Sequence, residues 1–159
     1  MNRQTKRRLA AGLAVVALLA GAARVEEIWV DGAWEGEQLG SEAAPFATIA
    51  AGLDALAASN GVAPGGHALI VKTGVYTNGL QVTAAHNGLD TATNEVRAAG
   101  AVTLSGRGVG FSAATNVALR GFTIRDVKST TSLRDYGVDV TNYSRAIEVA
   151  DCRILDCGD

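Results

Sequence analysis

Aromatic side chains are scarce in this chain of 159 residues, at 5 %, and it holds only two prolines, two histidines, two cysteines and one methionine. With 48 % hydrophobic residues and few rings, a core has to be packed from aliphatic and small side chains. The two cysteines, Cys152 and Cys157, stand in Cys-Arg-Ile-Leu-Asp-Cys with no second Cys or His pair, which excludes a metal-binding quartet. They read as two buried thiols, with a disulfide left open. His67 sits in a Gly-rich turn and His86 precedes Asn87-Gly88. Neither has a Ser or Cys partner in a recognisable motif, so a nucleophilic triad is unsupported. Phosphate-loop and dinucleotide fingerprints are missing too. A formal net charge of -2 gives no reason to expect a nucleic-acid partner.

What is present begins with a leader. Arg3, Lys6, Arg7 and Arg8 come with no acid among them, Leu9 to Ala23 run fifteen residues without charge, and Ala20-Gly21-Ala22 supplies small residues for cleavage. This is the composition of a secretory signal peptide over residues 1–23. Fifteen helical residues span about 22 Å, short of a hydrocarbon core of about 30 Å. No membrane association is therefore expected after cleavage, and no Cys follows to carry a lipid. The expected location is secreted, extracellular or periplasmic, where a disulfide is possible. Removing the four leader cations leaves ten Lys and Arg against sixteen Asp and Glu, a net of -6. An acidic partner would then need a local basic patch or a bridging cation.

Residues 24–67 read as a strand, a loop and a capping helix. Ile28-Trp29-Val30 is a short strand, Gly36 to Ala44 a loop, and Ile49, Leu53, Leu56 and Ala57 fall at helical spacing in an alanine-rich run that Asn60-Gly61 ends. From Ala68 onward the period changes to two. Ala68 to Lys72, Leu80 to Thr83, Val102 to Ser105, Val117 to Arg120, Phe122 to Arg125, Val138 to Thr141, Ile147 to Val149 and Cys152 to Ile154 read as short strands, most of them with one apolar face.

A repeat with an offset of thirty sets the expected architecture. Val117 falls on Ile147, Leu119 on Val149, Phe122 on Cys152, Ile124 on Ile154, Asp126 on Asp156 and Val127 on Cys157. The repeat preserves order and direction, which favours parallel stacking over the antiparallel hairpins of a sandwich. The expected fold is all-β: a right-handed parallel β-helix, a solenoid, with an N-terminal capping α-helix. Residues 68–159 would be its first coils, with Lys128 to Tyr136 looping out of one of them. The end at Gly158-Asp159, with no cap after an inward strand, reads as truncation.

Trp29-Val30-Asp31-Gly32, Gly40-Ser41-Glu42-Ala43-Ala44-Pro45-Phe46-Ala47-Thr48-Ile49, Leu53-Asp54-Ala55-Leu56 and Val71-Lys72-Thr73-Gly74-Val75-Tyr76 resemble the opening segment of pectate-lyase-like right-handed β-helix proteins. Gly121-Phe122-Thr123-Ile124 and Gly137-Val138-Asp139-Val140 resemble their coil strands. The resemblance implies an exported protein forming the N-terminal part of a polysaccharide-active, lyase-like protein. The alternative it leaves is a non-catalytic extracellular module, glycan-binding or a surface scaffold. Catalytic residues stay unassigned, and this chain alone is expected to be inactive and monomeric. Lyases of the family use a Lys or Arg base with carboxylate-held calcium. Arg125, Lys128 and Arg153, with Arg145, are therefore the candidates for binding an acidic sugar. Asp126 and Asp156, with Asp151 as a third donor, are candidates for calcium. Two aspartates one strand spacing apart repel by only about 0.9 kcal/mol in water, so the pair does not require a cation.

Overall fold

Two sequence regimes become two kinds of structure in the computed structural model, which describes residues 26–128 and 136–158. The alanine-rich run forms α1 (Ile49–Val62), whose first turn is closed by Thr48: its side-chain oxygen accepts from Ala51 N at 3.1 Å. The helix continues past Asn60-Gly61 for one residue and is closed by Ala63 N donating to Ser59 O at 2.9 Å. Ile49, Gly52, Leu53 and Leu56 form the buried face.

The strands are β1 (Glu27–Val30), β2 (Ala68–Tyr76), β3 (Leu80–Thr83), β4 (Asn94–Ser105), β5 (Val109–Ser112), β6 (Thr115–Arg125), β7 (Val138–Thr141), β8 (Arg145–Ala150) and β9 (Arg153–Leu155). Among the described residues every pairing between these strands is parallel. One sheet runs β1-β2-β4-β6-β8, with β9 also on β6, and the other runs β3-β5-β7. Alternation sends Leu80, Val82, Val109 and Phe111 from the smaller sheet into the same buried cluster as Val96, Leu104, Leu119 and Ile124 from the larger one. The offset of thirty is the pairing register: Val117 lies beside Ile147, Leu119 beside Val149 and Ile124 beside Ile154.

The bends also recur at that offset. Left-handed backbone occurs at Ala113 and Tyr143, at Asn116 and Ala146, at Gly121 and Asp151, and at Asp126 and Asp156. Each pair turns the chain at matching places on neighbouring strands. Such positions suit Gly, Asn and Asp best, and alanine there carries strain.

The all-β solenoid expected from the sequence is corrected by this arrangement. The strands lie in two separate parallel sheets, no closed solenoid is detected among the described residues, and the fold is mixed α/β. The physical reason lies in the helix. Ile49, Leu53 and Leu56 share one buried cluster with Val30, Leu69 and Val71, so α1 is a component of the core rather than an appendage to a stack of strands. The outer edge of β1 is occupied by its own loop, with Trp29 N donating to Gly40 O at 2.8 Å and Phe46 N to Trp29 O at 2.9 Å. The expected leader, and the loop from Lys128 to Tyr136 apart from its two end residues, lie outside the described residues. Among the described residues no helix is long and apolar enough to cross a membrane.

Candidate functional site

Asparagine side chains knit the end of α1 to the sheets. Asn94, at the start of β4, is 0 % exposed. Its Oδ1 accepts from His67 N at 2.9 Å, and its Nδ2 donates to Asn60 Oδ1 at 3.0 Å and to His86 O at 3.1 Å. Asn60 in turn donates to Ala85 O and Asn87 O and accepts from Gly65 N. Burying the Asn94 amide is tolerable only because each of its polar atoms is matched. The network fixes the turn from Asn87 to Asp90 against the start of β6.

At that turn the surface opens into a cleft of about 280 Å³, lined by Asn87, Gly88, Leu89, Asp90, Thr115, Asn116 and Arg145. Asn87 Oδ1 accepts from Thr115 N at 2.6 Å, and Gly88 N donates to Thr115 O at 3.0 Å. Asn116, in left-handed backbone, donates from Nδ2 to Asp90 Oδ1 at 2.8 Å. Arg145, whose N donates to Ala114 O, stands on the rim from the neighbouring strand. The cleft thus offers a carboxylate oriented by an amide, with Arg145 among the lining residues, on a backbone fixed by the buried network. A larger cavity of about 700 Å³ at the C-terminal end of α1 adjoins Glu26, the first described residue, and its lining is mainly apolar.

The residues singled out from the sequence lie at the other end of β6. Arg125 closes that strand; its Nε donates to Asp126 Oδ2 at 2.7 Å, and its Nη2 lies 3.9 Å from Asp156 Oδ2. The thirty-residue register therefore brings Arg125, Asp126 and Asp156 together. Arg153 sits on β9 beside Thr123, and Lys128 follows Asp126 by two residues; both are exposed. Asp151 occupies the Gly121 bend instead. Among the described residues no three His, Cys, Asp or Glu side chains converge as a metal ion would require. Between the two aspartates the positive group is the guanidinium. The hydrogen bond and charge of Asp126, with Asp156 adding to them, raise the Arg125 pKa above its ordinary value. A cation held in that state is a poor proton acceptor.

Charge also runs across the outer face of the larger sheet. Glu27 meets Arg97 at 3.0 Å, Arg97 meets Glu95 at 3.7 Å, Arg120 meets Glu95 at 3.0 Å, and Arg120 meets Glu148 at 2.7 Å. Cys152 and Cys157 are free and half-buried.

Asn87, Asp90 and Asn116 were not visible as a site in the sequence. The available signal was the Asn87-Gly88 turn, which marks a tight bend without saying what faces it. Comparison of the chain with protein-family models, with curated proteins and with solved structures finds no match in any of the three.

Proposed function

We propose that the chain is an exported polysaccharide-binding protein that holds a sugar in the cleft between the Asn87–Asp90 turn and the starts of β6 and β8. The observation that carries this reading is Asp90, held at 2.8 Å by Asn116 inside a cleft of about 280 Å³, with Arg145 on its rim. Sugar hydroxyls donate and accept at once, and a carboxylate with an amide and a guanidinium answers both needs. The volume falls just below the range of drug-sized small-molecule sites, about 300–1,000 Å³, which suits a single ring of a longer polymer. Export rests on the basic, apolar and small-residue order of residues 1–23. The opening motifs that resemble pectate-lyase-like proteins support a sugar polymer as the ligand class.

Calorimetric titration with oligogalacturonate, alginate and neutral β-glucan oligomers tests the reading. At least one is expected to bind, and Asp90→Ala is expected to weaken that binding about tenfold or more, since a charge-assisted hydrogen bond is lost. Wild-type protein that binds none of them, or an Asp90→Ala variant that binds as well as wild type, sinks it. Release of unsaturated product, followed by ultraviolet absorbance, would replace binding with lyase chemistry.

A further inference from the structure

Three asparagines precede a glycine in this chain: Asn60-Gly61, Asn78-Gly79 and Asn87-Gly88. Glycine has no Cβ to keep its peptide nitrogen away from the side-chain carbon of the residue before it. In an unfolded chain the pairs are therefore alike: the nitrogen can attack that carbon and release the amide as ammonia. The fold treats them differently. Asn60 donates to Ala85 O at 3.1 Å and Asn87 O at 2.9 Å and accepts from Gly65 N and Asn94 Nδ2. Both Asn60 and Gly61 lie in α1, where a side chain leans towards the helix N-terminus, away from the nitrogen that follows. Asn87 Oδ1 accepts from Thr115 N at 2.6 Å, and Gly88, buried, donates its N–H to Thr115 O at 3.0 Å. Attack at either pair must first break these bonds.

Asn78 is held by nothing comparable. It is exposed, in the connection from β2 to β3. Among the described residues neither its side chain nor Gly79 N makes a hydrogen bond. It lines a cleft of about 170 Å³ with Thr48, Ile49 and Ala50, which leaves space for water beside it. Nor is the glycine replaceable. Gly79 has a φ of +70°, and a Cβ on it would stand 2.8 Å from Gly108 O and 2.9 Å from Arg107 Cβ. The turn requires glycine there, and with it keeps the reactive pair.

We propose that Asn78 is a site of spontaneous deamidation, and that the fold shields Asn60 and Asn87 from the same reaction. Gly79 N gives up its proton to solvent base and bonds to Cγ of Asn78. The Cγ–Nδ2 bond breaks, and Nδ2 leaves as ammonia with a proton taken from solvent. Water then opens the cyclic imide. Attack at Cγ gives aspartate. Attack at the main-chain carbonyl gives isoaspartate, whose backbone runs through the side chain and is longer by a methylene. Aspartate adds only a charge at an exposed position. Isoaspartate lengthens the chain immediately before β3, where Leu80 N donates to Gly108 O at 3.2 Å and Leu80 pairs with Val109. The first rung of the smaller sheet is loosened by that change.

The folded chain, kept at mildly alkaline pH and mapped by peptide mass spectrometry with isoaspartate resolved by chromatography, tests the assignment. Conversion is expected at Asn78 about tenfold or more faster than at Asn60 and Asn87, which must open locally before they react. In concentrated urea the rates at these sites are expected to agree within about threefold, since the dipeptides are the same. Equal rates in the folded chain overturn the proposal. So does an Asn78 that stays intact, or a preference for Asn78 that persists unchanged in urea. Asn78→Asp, which carries the charge without the added methylene, is expected to keep the wild-type urea midpoint, and the isolated isoaspartate form to have a lower one. An isoaspartate form as stable as Asn78→Asp overturns the effect on β3.

Discussion

Gly52 of α1 lies so close to Leu69 of β2 that a methyl group on it would stand 2.6 Å from Leu69 Cδ1 and from Val30 Cγ2. The missing side chain sets the distance between helix and sheet. Gly61, in the same helix, has nothing within 4 Å of the corresponding point. The same substitution should therefore change sign along one helix. Gly52→Ala should lose about 1–2 kcal/mol, overpacking outweighing propensity, while Gly61→Ala should gain up to about 1 kcal/mol. Urea unfolding of the two variants decides it, and equal effects would place the helix elsewhere.

The amide of Asn94 holds three partners together in the interior. Asn94→Ala leaves His67 N and His86 O without their buried partner, and should cost about 2–4 kcal/mol. Thermal unfolding gives the value. A loss below about 1 kcal/mol would mean that water replaces the amide.

His86 should make stability depend on mildly acidic pH. Burial lowers its pKa below 6.5, outweighing the raising effects of the backbone at Leu53 and of Asp54. Its Nδ1 accepts from Thr83 N at 2.9 Å, which requires the neutral ring. The unfolded chain therefore binds the proton more readily. Stability from this group is complete above pH 6.5 and is lost as pH falls towards and through the lower folded value. Imidazole shifts in a nuclear magnetic resonance titration should give a midpoint below 6.5 for His86. A midpoint at or above that of an unfolded histidine contradicts the buried neutral ring.

Arg120 bridges Glu95 and Glu148 on the outer face, yet its side chain is 38 % exposed and that of Glu148 is 55 %. Solvent and salt screen such pairs. Arg120→Ala should cost less than about 1 kcal/mol, and less still at high salt. Chemical denaturation at two ionic strengths measures it.

The repeat was legible in the sequence because inward positions demand apolar residues wherever the chain returns. Val117 with Ile147 and Ile124 with Ile154 could be aligned by eye, and the structure pairs them. The same alignment placed Asp126 near Asp156. The fold class was not legible, because many short alternating runs outweighed a single alanine-rich helix whose buried face belongs to the core. Nor was the middle of β4: Arg97-Ala98-Ala99 carries no alternation, and parallel pairing with β2 makes it a strand. The amide network and the cleft were hidden for another reason. Asn60, Asn87, Asn94 and Asn116 are separated by irregular intervals, and only the folded chain brings them together.

The matched left-handed bends have a consequence for how genes encoding this architecture can vary in length. One added codon inside β6 or β8 would displace every later side chain to the wrong face and miss the next bend, whereas duplication of a whole thirty-residue block would renew both at once. Natural length variants of the chain should accordingly differ by complete blocks, or by segments inserted between strands.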